Sequence, residues 1–473
     1  MTSDLWKMSA SDLAEAIRQK QVSCREVIQA HLDRIAAINP RVNAVTVTLA
    51  ESALVAAEQA DAQLARGHPV GPLHGVPMTV KENINLMGSA TTHGIVAFKD
   101  LMPRADAPHI AQLKAAGAIA IARTNMPDFG RRWHTDNALH GATRNPWDAG
   151  RTPGGSSGGD AVALATGMTP LGMGNDLAGS LRWPSQCCGT TALRPTLGRV
   201  PTDRVPPGPG IPMQPLAIHL FGVQGPMARH ARDLRLALAS MSGPDPRDPL
   251  WVPAPLRGPD APSPIRVAMT IDPAHQGVDP QVAEGVRRAA AALAEAGYVV
   301  EELEPPSVLR GLELFLQLSA TYGRSPMSQV RLERLGSPGY LQMRRTLLRG
   351  IDPLRGAPSP DGWLERLELA QAWEMFQAHH PLILGPVSGV QPFAVDFDTT
   401  ATPAQAQVWY EAVRLVVVVN LLGLPAVATP VGVTDGLPQS VQLIGPRYRE
   451  DLCLDAAEAI EARLGVPTPI DPR

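Results

Sequence analysis

The N-terminal part of the chain carries apolar residues at the spacing of amphipathic helices. Ser23 and Glu26 fit a capping box, in which a serine hydroxyl caps a helix and a carboxylate follows three residues later. After this box the apolar positions recur three to four residues apart, at Val27, Ile28, Leu32 and Ile35. A similar capping pattern begins at Ser9, and residues 50–66 predict a further helix that ends at Gly67.

From residue 73 the pattern changes to short apolar runs that are broken by glycine and proline. Residues 76–80 and 118–122 each predict a buried strand, and residues 107–117 between them predict a helix closed by Gly117. The same order of strand, helix and strand returns at 265–269, 279–296 and 298–300. This alternation predicts an α/β fold in which helices cover a central sheet.

The other segments predict connectors and further helices. Residues 242–264 are dense in proline and aspartate and predict an exposed connector, whereas residues 306–380 are mainly helical in pattern and carry no catalytic motif. The apolar run at 415–419, extended by Leu421 and Leu422, is too short to span a bilayer. It predicts either a buried strand or a core helix.

Composition narrows the classes of function. The chain has 473 residues, 44% of them hydrophobic, and a net charge of −3, so it has no general attraction to nucleic acid or to an anionic membrane. Its first residues lack a basic start followed by an apolar stretch, so we expect no secretory signal. The cysteines, at positions 24, 187, 188 and 453, match neither a metal site nor a disulfide framework. We therefore expect a cytoplasmic protein.

The most informative motif is the run Pro-Gly-Gly-Ser-Ser-Gly-Gly-Asp at residues 153–160. Alone, such a run is typical of a flexible linker. Here residues 161–165 follow at once with good helix propensity, so the loop ends on a helix. No lysine follows the glycines, which excludes a Walker phosphate loop. Ser156 in this loop is therefore a candidate functional residue.

Two further residues complete a candidate acyl-transfer site without histidine. Ser180 lies in a second glycine-containing turn, at 174–182, and Lys81 ends the apolar run 76–80. A serine hydroxyl needs a base at neutral pH, and lysine serves only when burial or a cationic neighbour lowers its pKa. Most lysines are solvated surface charges, but the end of a buried strand favours such a shift.

These motifs resemble the amidase signature family over nearly the whole chain, with further similar blocks at residues 75–83, 124–130, 141–147, 225–229, 423–426 and 436–445. The resemblance implies the amidase signature fold, a large mixed central β-sheet sandwiched between layers of α-helices. It implies a single domain over 1–473, composed of an N-terminal helical segment (1–67), a catalytic core (73–240), a variable substrate-pocket region (265–400) and a C-terminal core segment (405–473).

The resemblance also implies a role for each candidate residue. Ser180 would be the nucleophile, Ser156 the bridging hydroxyl after a cis Gly155–Ser156 peptide bond, and Lys81 the general base and acid. The oxyanion hole would consist of the backbone N–H groups of Leu177, Ala178, Gly179 and Ser180.

Two positions depart from the common family pattern. Asn175 stands where the family has a hydroxyl residue, and Ala178 stands in place of a glycine. Alanine would strain the oxyanion loop if that position needed a positive φ and would be harmless at a negative φ. Trp133 and Trp183 flank the motif blocks and belong either to the core or to the lining of a substrate pocket.

The expected function is hydrolysis of the C–N bond of small apolar or aromatic amides, anilides or carbamates, as in aryl acylamidases and urethanases, through a serine acyl-enzyme. We expect no metal or organic cofactor and no partner other than the amide substrate, neither nucleic acid nor membrane; a homodimer is common among relatives. Two alternatives stay open: a glutamine-amidotransferase A-type subunit of a tRNA amidotransferase, which Asn175 and Ala178 disfavour, and an inactive amidase-like binding protein.

Overall fold

The computed structural model describes residues 2–204, 215–323, 326–351 and 361–473. Within these ranges the strands are β1 (Val45–Thr48), β2 (Pro77–Lys81), β3 (Ile119–Thr124), β4 (Leu171–Asp176), β5 (Thr191–Arg194), β6 (Val223–Ala228), β7 (Arg266–Met269), β8 (Val299–Glu302), β9 (Leu382–Pro386), β10 (Ala426–Thr434) and β11 (Leu437–Ile444). All of them join one sheet in the order β1-β3-β2-β4-β6-β5-β10-β11-β9-β7-β8.

The α-helices of the described ranges are α1 (Ala10–Arg18), α2 (Cys24–Val42), α3 (Ala50–Ala65), α4 (Pro108–Ala115), α5 (Gly158–Ala165), α6 (Arg182–Cys188), α7 (Leu216–Phe221), α8 (Ala231–Met241), α9 (Pro280–Glu295), α10 (Val308–Gly323), α11 (Pro326–Leu335), α12 (Pro338–Ile351), α13 (Gly362–His379), α14 (Phe397–Thr400), α15 (Pro403–Ala412), α16 (Arg414–Leu422) and α17 (Glu450–Leu464). The predicted capping box is present at the start of α2, where Ser23 and Glu26 cap each other's backbone N–H groups.

The sheet is mixed, with parallel pairs near each end and antiparallel pairs through its centre. β2 is parallel to both β3 and β4, and β7 is parallel to both β8 and β9, whereas the other neighbours are antiparallel. Because α4 connects β2 to β3 and α9 connects β7 to β8, both predicted strand–helix–strand units are present. The parallel pairing of β2 with β4 brings the ends of these strands, with Lys81 and Asp176, to the same edge of the sheet.

Successive strand residues enter apolar clusters on opposite faces of the sheet. Ala426 packs in one cluster and Val427 in the other, as do Ala192 and Leu193. Helices α2, α5, α6, α10 and α16 contribute to the first cluster, and α1, α4, α8, α9 and α17 contribute to the second. The sheet therefore lies between two helical layers, which confirms the predicted fold class.

The apolar run near residue 415 forms a core helix, one of its two predicted outcomes. It lies in α16, all nine residues of which are buried, and Gly423 closes the helix in the left-handed region at φ 71°. Among the described residues, no helix combines the length and apolar character needed to cross a bilayer.

Candidate active site

Lys81 is the last residue of β2, a strand whose residues are all buried. Its ammonium nitrogen has three hydrogen-bond partners: Ser156 Oγ at 2.7 Å, Ser157 Oγ at 2.9 Å and Asn175 Oδ1 at 2.9 Å. The structure thus brings Lys81 and Ser156 together, although 75 residues separate them in the sequence.

Burial lowers the pKa of Lys81 to about 7, because the charged amine loses its hydration at a fully buried position. The carboxylates of Asp160 and Asp176 act in the opposite direction and raise this pKa. Burial also raises the pKa of Asp160 to about 6. An amine with a pKa near 7 is present in both forms at neutral pH, so it can accept a proton and return it.

The loop that holds Ser156 packs too tightly for a side chain before the serine. A Cβ atom on Gly155 would lie 2.4 Å from the carbonyl oxygen of Arg132. The Gly155–Ser156 peptide bond is cis, as the resemblance implies, and α5 begins two residues later, at Gly158. Ser156 is 2% exposed and lies at the base of the site.

Ser180 lies in the turn between β4 and α6 and is 8% exposed. Its carbonyl oxygen accepts a hydrogen bond from the Ser157 N–H at 3.2 Å, which ties the two serine-containing loops together. Among the described residues the Ser180 hydroxyl has no hydrogen-bond partner, so it is not bonded to Ser156 in this structure. A relay between the two serines requires the Ser180 hydroxyl to turn toward Ser156.

The structure narrows the expected set of oxyanion donors. The Gly179 N–H donates to Asp176 Oδ1 at 2.8 Å, so this expected donor is already engaged. The N–H groups of Leu177, Ala178 and Ser180 are the members of the set that carry no such bond among the described residues. Gly179 adopts a φ of 92°, whereas Ala178 is not among the described non-glycine residues with positive φ. Alanine at 178 therefore fits its place without backbone strain.

A buried ion pair is hydrogen-bonded to the turn that holds Ser180, residues 177–181. Arg182 Nε donates to Asp176 Oδ2 at 3.0 Å, and both side chains are fully buried. Burial alone would raise the pKa of Asp176, but the Arg182 guanidinium keeps it well below its usual range. Asn420 donates to Asp176 Oδ1 at 2.8 Å, and Gln442 accepts from Arg182 Nη1 at 2.9 Å. The charges are thus paired and hydrogen-bonded, as buried ions require.

A cluster of aromatic rings lies beside the turn that holds Ser180. The indole N–H of Trp133 donates to the carbonyl oxygen of Ala178 at 3.3 Å, and Trp133 is partly exposed, whereas Trp183 is buried. Trp409 packs edge to face on both tryptophans, with ring centroids 5.4 Å from Trp133 and 4.8 Å from Trp183. Two further rings complete the cluster, those of Tyr410 and Phe393. Trp409, Tyr410 and Phe393 were not found from the sequence, because they lie more than 200 positions from the motifs they contact.

Cysteine and metal chemistry can also be compared with what the structure describes. Cys187 and Cys188 are buried in α6, and burial raises the pKa of both thiols far above the usual value, so neither is a thiolate at neutral pH. Among the residues that the structure describes, no three His, Cys, Asp or Glu side chains are grouped to hold a metal ion.

Known proteins resemble this chain in sequence and in fold. The model of a family described as Amidase matches residues 26–454. An indoleacetamide hydrolase of Bradyrhizobium diazoefficiens is 43% identical over 467 residues, which cover 98% of this chain and 87% of that protein. The A-type subunit of a glutamyl-tRNA(Gln) amidotransferase of Alkaliphilus metalliredigens is 30% identical over 495 residues, which cover 97% of each chain.

The solved structure of a bacterial aryl acylamidase of the amidase signature family superposes with a TM-score of 0.80 at 25% identity, covering 97% of this chain and 96% of that chain. The chain therefore belongs to the amidase signature family. In chemical terms it is a hydrolase that acts on the C–N bond of amides.

Gly179→Ala and Ala178→Gly form a matched pair of variants in the turn that holds Ser180. We expect Gly179→Ala to destabilise the fold by about 1–2 kcal/mol from the left-handed backbone alone. The cost rises further because the new Cβ would lie 2.4 Å from Val416 Cγ1. Ala178→Gly is expected to change stability by less than about 1 kcal/mol. Thermal unfolding measures both, and equal melting temperatures for the two variants would contradict this account of the loop.

Proposed function

We propose that the protein hydrolyses small amides with an aromatic acyl group, through an acyl-enzyme on Ser180 with Ser156 and Lys81 as proton relay. The observation that supports this proposal best is the buried hydrogen bond of 2.7 Å between Lys81 Nζ and Ser156 Oγ. A fully buried amine with a pKa near 7, held against a serine that adjoins a second serine loop, has the chemistry of a general base.

In the first half of the reaction Ser180 Oγ attacks the carbonyl carbon of the amide. The Ser180 proton passes to Ser156 Oγ as the Ser156 proton passes to Lys81 Nζ, so one proton enters the relay and one reaches the amine. The oxyanion that forms is placed to accept from the N–H groups of Leu177, Ala178 and Ser180, and each such donor contributes about 3–4 kcal/mol of transition-state stabilisation.

In the second half the same relay runs in reverse. Lys81 returns its proton through Ser156 to the leaving nitrogen, the C–N bond breaks, and the amine departs from the acyl-enzyme. Water then attacks the Ser180 ester, gives one proton to the relay, and the proton finally restores the Ser180 hydroxyl as the acid leaves. The lysine thus acts first as base and then as acid.

Two different groups of side chains, one polar and one aromatic, lie near the proposed relay. The leaving nitrogen must approach Ser156 and Lys81, and this side carries the carboxamides of Asn83 and Asn175, which are hydrogen-bonded to each other at 2.9 Å. The aromatic cluster instead contacts the turn that holds Ser180, through the hydrogen bond from Trp133 to the Ala178 carbonyl. We therefore assign the aromatic group to the acyl part of the substrate and a small, polar amine to the leaving part, which fits the relative named indoleacetamide hydrolase.

A reversed pair of substrates tests this assignment. Phenylacetamide carries its ring on the acyl side and acetanilide carries it on the amine side, at nearly equal size. We expect kcat/KM for phenylacetamide and indole-3-acetamide, measured by ammonia release, to exceed that for acetanilide, measured by aniline release, by about tenfold or more, roughly the effect of one well-filled apolar pocket. Preference for acetanilide would reverse the assignment of the two sides. Turnover of no amide by the folded protein would overturn the proposed function.

The amidotransferase subunit is the second candidate, because A-type subunits of such enzymes match nearly the full chain. Their identity of 30% is lower than the 43% of the indoleacetamide hydrolase, which favours a free-standing amidase. An amidotransferase subunit would purify with partner subunits, whereas the proposed enzyme turns over its amide alone. The cytoplasmic location and the homodimer remain predictions.

A further inference from the structure

Three carboxamide side chains, which we call the carboxamide brace, lie next to the amine of Lys81: Asn83, Asn175 and Gln224. Asn175 Oδ1 accepts from Lys81 Nζ at 2.9 Å, and Asn175 Nδ2 donates to Asn83 Oδ1 at 2.9 Å and to Gln224 Oε1 at 3.5 Å. Asn83 Nδ2 completes the pair by donating back to Asn175 Oδ1 at 3.4 Å. The brace joins the turn after β2 to β4 and β6, where Asn175 and Gln224 are opposite each other in the ladder.

The partners of Asn175 decide which end of its amide faces the lysine. Its NH₂ group lies between two carbonyl oxygens, those of Asn83 and Gln224, which can only accept. Its Oδ1 atom faces Lys81 Nζ and Asn83 Nδ2, which are donors. Rotating the amide by half a turn would set donor against donor and acceptor against acceptor, so the oxygen is fixed toward Lys81.

The fixed oxygen of Asn175 constrains the N–H groups of Lys81 in a way that a hydroxyl group at position 175 would not. A carbonyl oxygen can only accept, whereas the hydroxyls of Ser156 and Ser157 can donate or accept. One N–H of Lys81 is therefore always directed to Asn175. In the charged amine the other two N–H groups meet Ser156 and Ser157. In the neutral amine one N–H remains for one of the two serine hydroxyls and the lone pair is left for the other; the proposed relay uses the arrangement in which the lone pair faces Ser156.

We propose that Asn175, oriented by Asn83, is a positioning residue that directs the lone pair of Lys81 toward Ser156, so that the amine exchanges a proton with that serine without rotating. This inference rests on the proposed function. It explains why an amide serves at a position where the family pattern has a hydroxyl: both protonation states of Lys81 keep all their hydrogen bonds, and only the Ser156 hydrogen changes direction.

Four charged groups lie near Lys81 in the structure or in the chain. Asp160 on α5 and Asp176 at the end of β4 both raise the pKa of Lys81, yet neither is hydrogen-bonded to its amine among the described contacts. Arg123 on β3 donates to the Lys81 carbonyl oxygen at 3.1 Å, and Glu82 follows Lys81 in the chain. A carboxylate at position 175 would be the first in direct contact with the amine.

Asn175→Asp is the sharpest test, because it keeps the shape and the acceptor but adds a negative charge 2.9 Å from the amine. The probe is an alkyl fluorophosphonate: Ser180 Oγ bonds to phosphorus, the P–F bond breaks, fluoride leaves, and the serine proton goes to the relay. We expect the rising limb of the labelling rate against pH to move up by about one unit or more, because a carboxylate in contact holds the proton on Lys81. The rising limb of kcat/KM for phenylacetamide should move with it.

Two further variants distinguish the effect of the orientation of the Asn175 amide from the effect of an added charge. Asn175→Leu removes the acceptor, and we expect kcat to fall by about a hundredfold with little change in KM, the effect of misplacing a general base. Asn83→Leu leaves Asn175 in place but frees its amide to rotate, and we expect the labelling rate at pH 8 to fall by about tenfold. Gln112→Leu is the matched control. Gln112 lies on the remote helix α4, and its amide is hydrogen-bonded to the backbone of Gly243. This variant should leave both pH profiles unchanged.

The outcomes distinguish this inference from the proposed function. A wild-type protein that is neither labelled at Ser180 nor active on amides would overturn the proposed function and the inference together. A normally labelled wild type, with an Asn175→Asp profile that does not move and an Asn83→Leu rate that does not fall, would overturn the inference alone. If Asn175→Asp does not fold, the Asn83→Leu rate decides.

Discussion

Ser180→Ala is expected to abolish amide hydrolysis, with a loss on the order of 10⁶-fold in kcat, the scale seen when a serine hydrolase loses its nucleophile. No acyl-enzyme can form without the Ser180 oxygen, and the neighbouring Ser156 is held by Lys81 at the base of the site. The stability of the fold should change little, because the Ser180 hydroxyl has no hydrogen-bond partner among the described residues. Ammonia release from phenylacetamide and labelling by the fluorophosphonate measure the loss.

Ser185→Ala is the matched control for the nucleophile. Ser185 is a fully buried serine on α6, five residues further along, and its hydroxyl accepts a hydrogen bond from Thr190 at 3.2 Å. We expect this variant to lose some stability and to keep its labelling and turnover. Full activity in Ser180→Ala, with the protein folded, would exclude Ser180 as the nucleophile and turn attention to Ser156.

Lys81→Met is expected to have the second largest effect, a loss of about 10³-fold or more in amide turnover, within the range of general acid–base catalysis. The loss should be smaller for a nitrophenyl ester of the same acid, because a nitrophenolate leaves without a proton whereas an amide nitrogen needs one. In the wild type the neutral amine is the active base and its pKa is lowered to about 7, so kcat/KM should rise with pH through about 7. In Lys81→Met this rising limb should disappear.

Lys81→Arg removes the base at position 81 but keeps its positive charge. A guanidinium keeps the positive charge near Asp160 and Asp176 but stays protonated at all relevant pH values. We expect it to be as inactive as Lys81→Met on amides while retaining more stability, because the buried carboxylates keep a counter-charge. Equal losses on amide and ester in both variants would remove the acid role from Lys81. An active Lys81→Arg would remove the base role as well.

Local elements were readable from the sequence, but their arrangement was not. Helices α3 and α9 begin and end within two residues of the predicted ranges 50–66 and 279–296, and a glycine follows each of them closely. The start of α2 was readable from its capping box, whereas its end was not predicted. The sequence did not reveal that β10 pairs with β5, more than 200 residues earlier. Such pairing depends on which buried faces meet, and a short apolar run does not specify which strand will be its partner. For the same reason the run near residue 415 could not be assigned to helix or strand.

The candidate site was also only partly predictable from the sequence. Lys81, Ser156 and Ser180 stand in glycine-rich or strand-end motifs that are visible in the sequence, and the structure places Lys81 against Ser156. Whether the Gly179 N–H was free could not be read from the sequence, because its partner Asp176 adopts that role only in the folded turn. Nor could the aromatic neighbours be found, since Trp409, which packs on Trp183, comes from a helix far along the chain.

The ion pair of Asp176 and Arg182 is completed by residues that are synthesised late. Its hydrogen-bonding partners Asn420 and Gln442 come from the last quarter of the chain, 244 residues after Asp176 for Asn420 and 260 after Arg182 for Gln442. At about 5–20 residues per second of synthesis, these partners follow the Asp176–Arg182 segment on the ribosome after on the order of 12–50 seconds. We expect a nascent chain to carry every predicted catalytic residue for most of that interval and yet to hydrolyse nothing, so that activity begins only as translation nears its end.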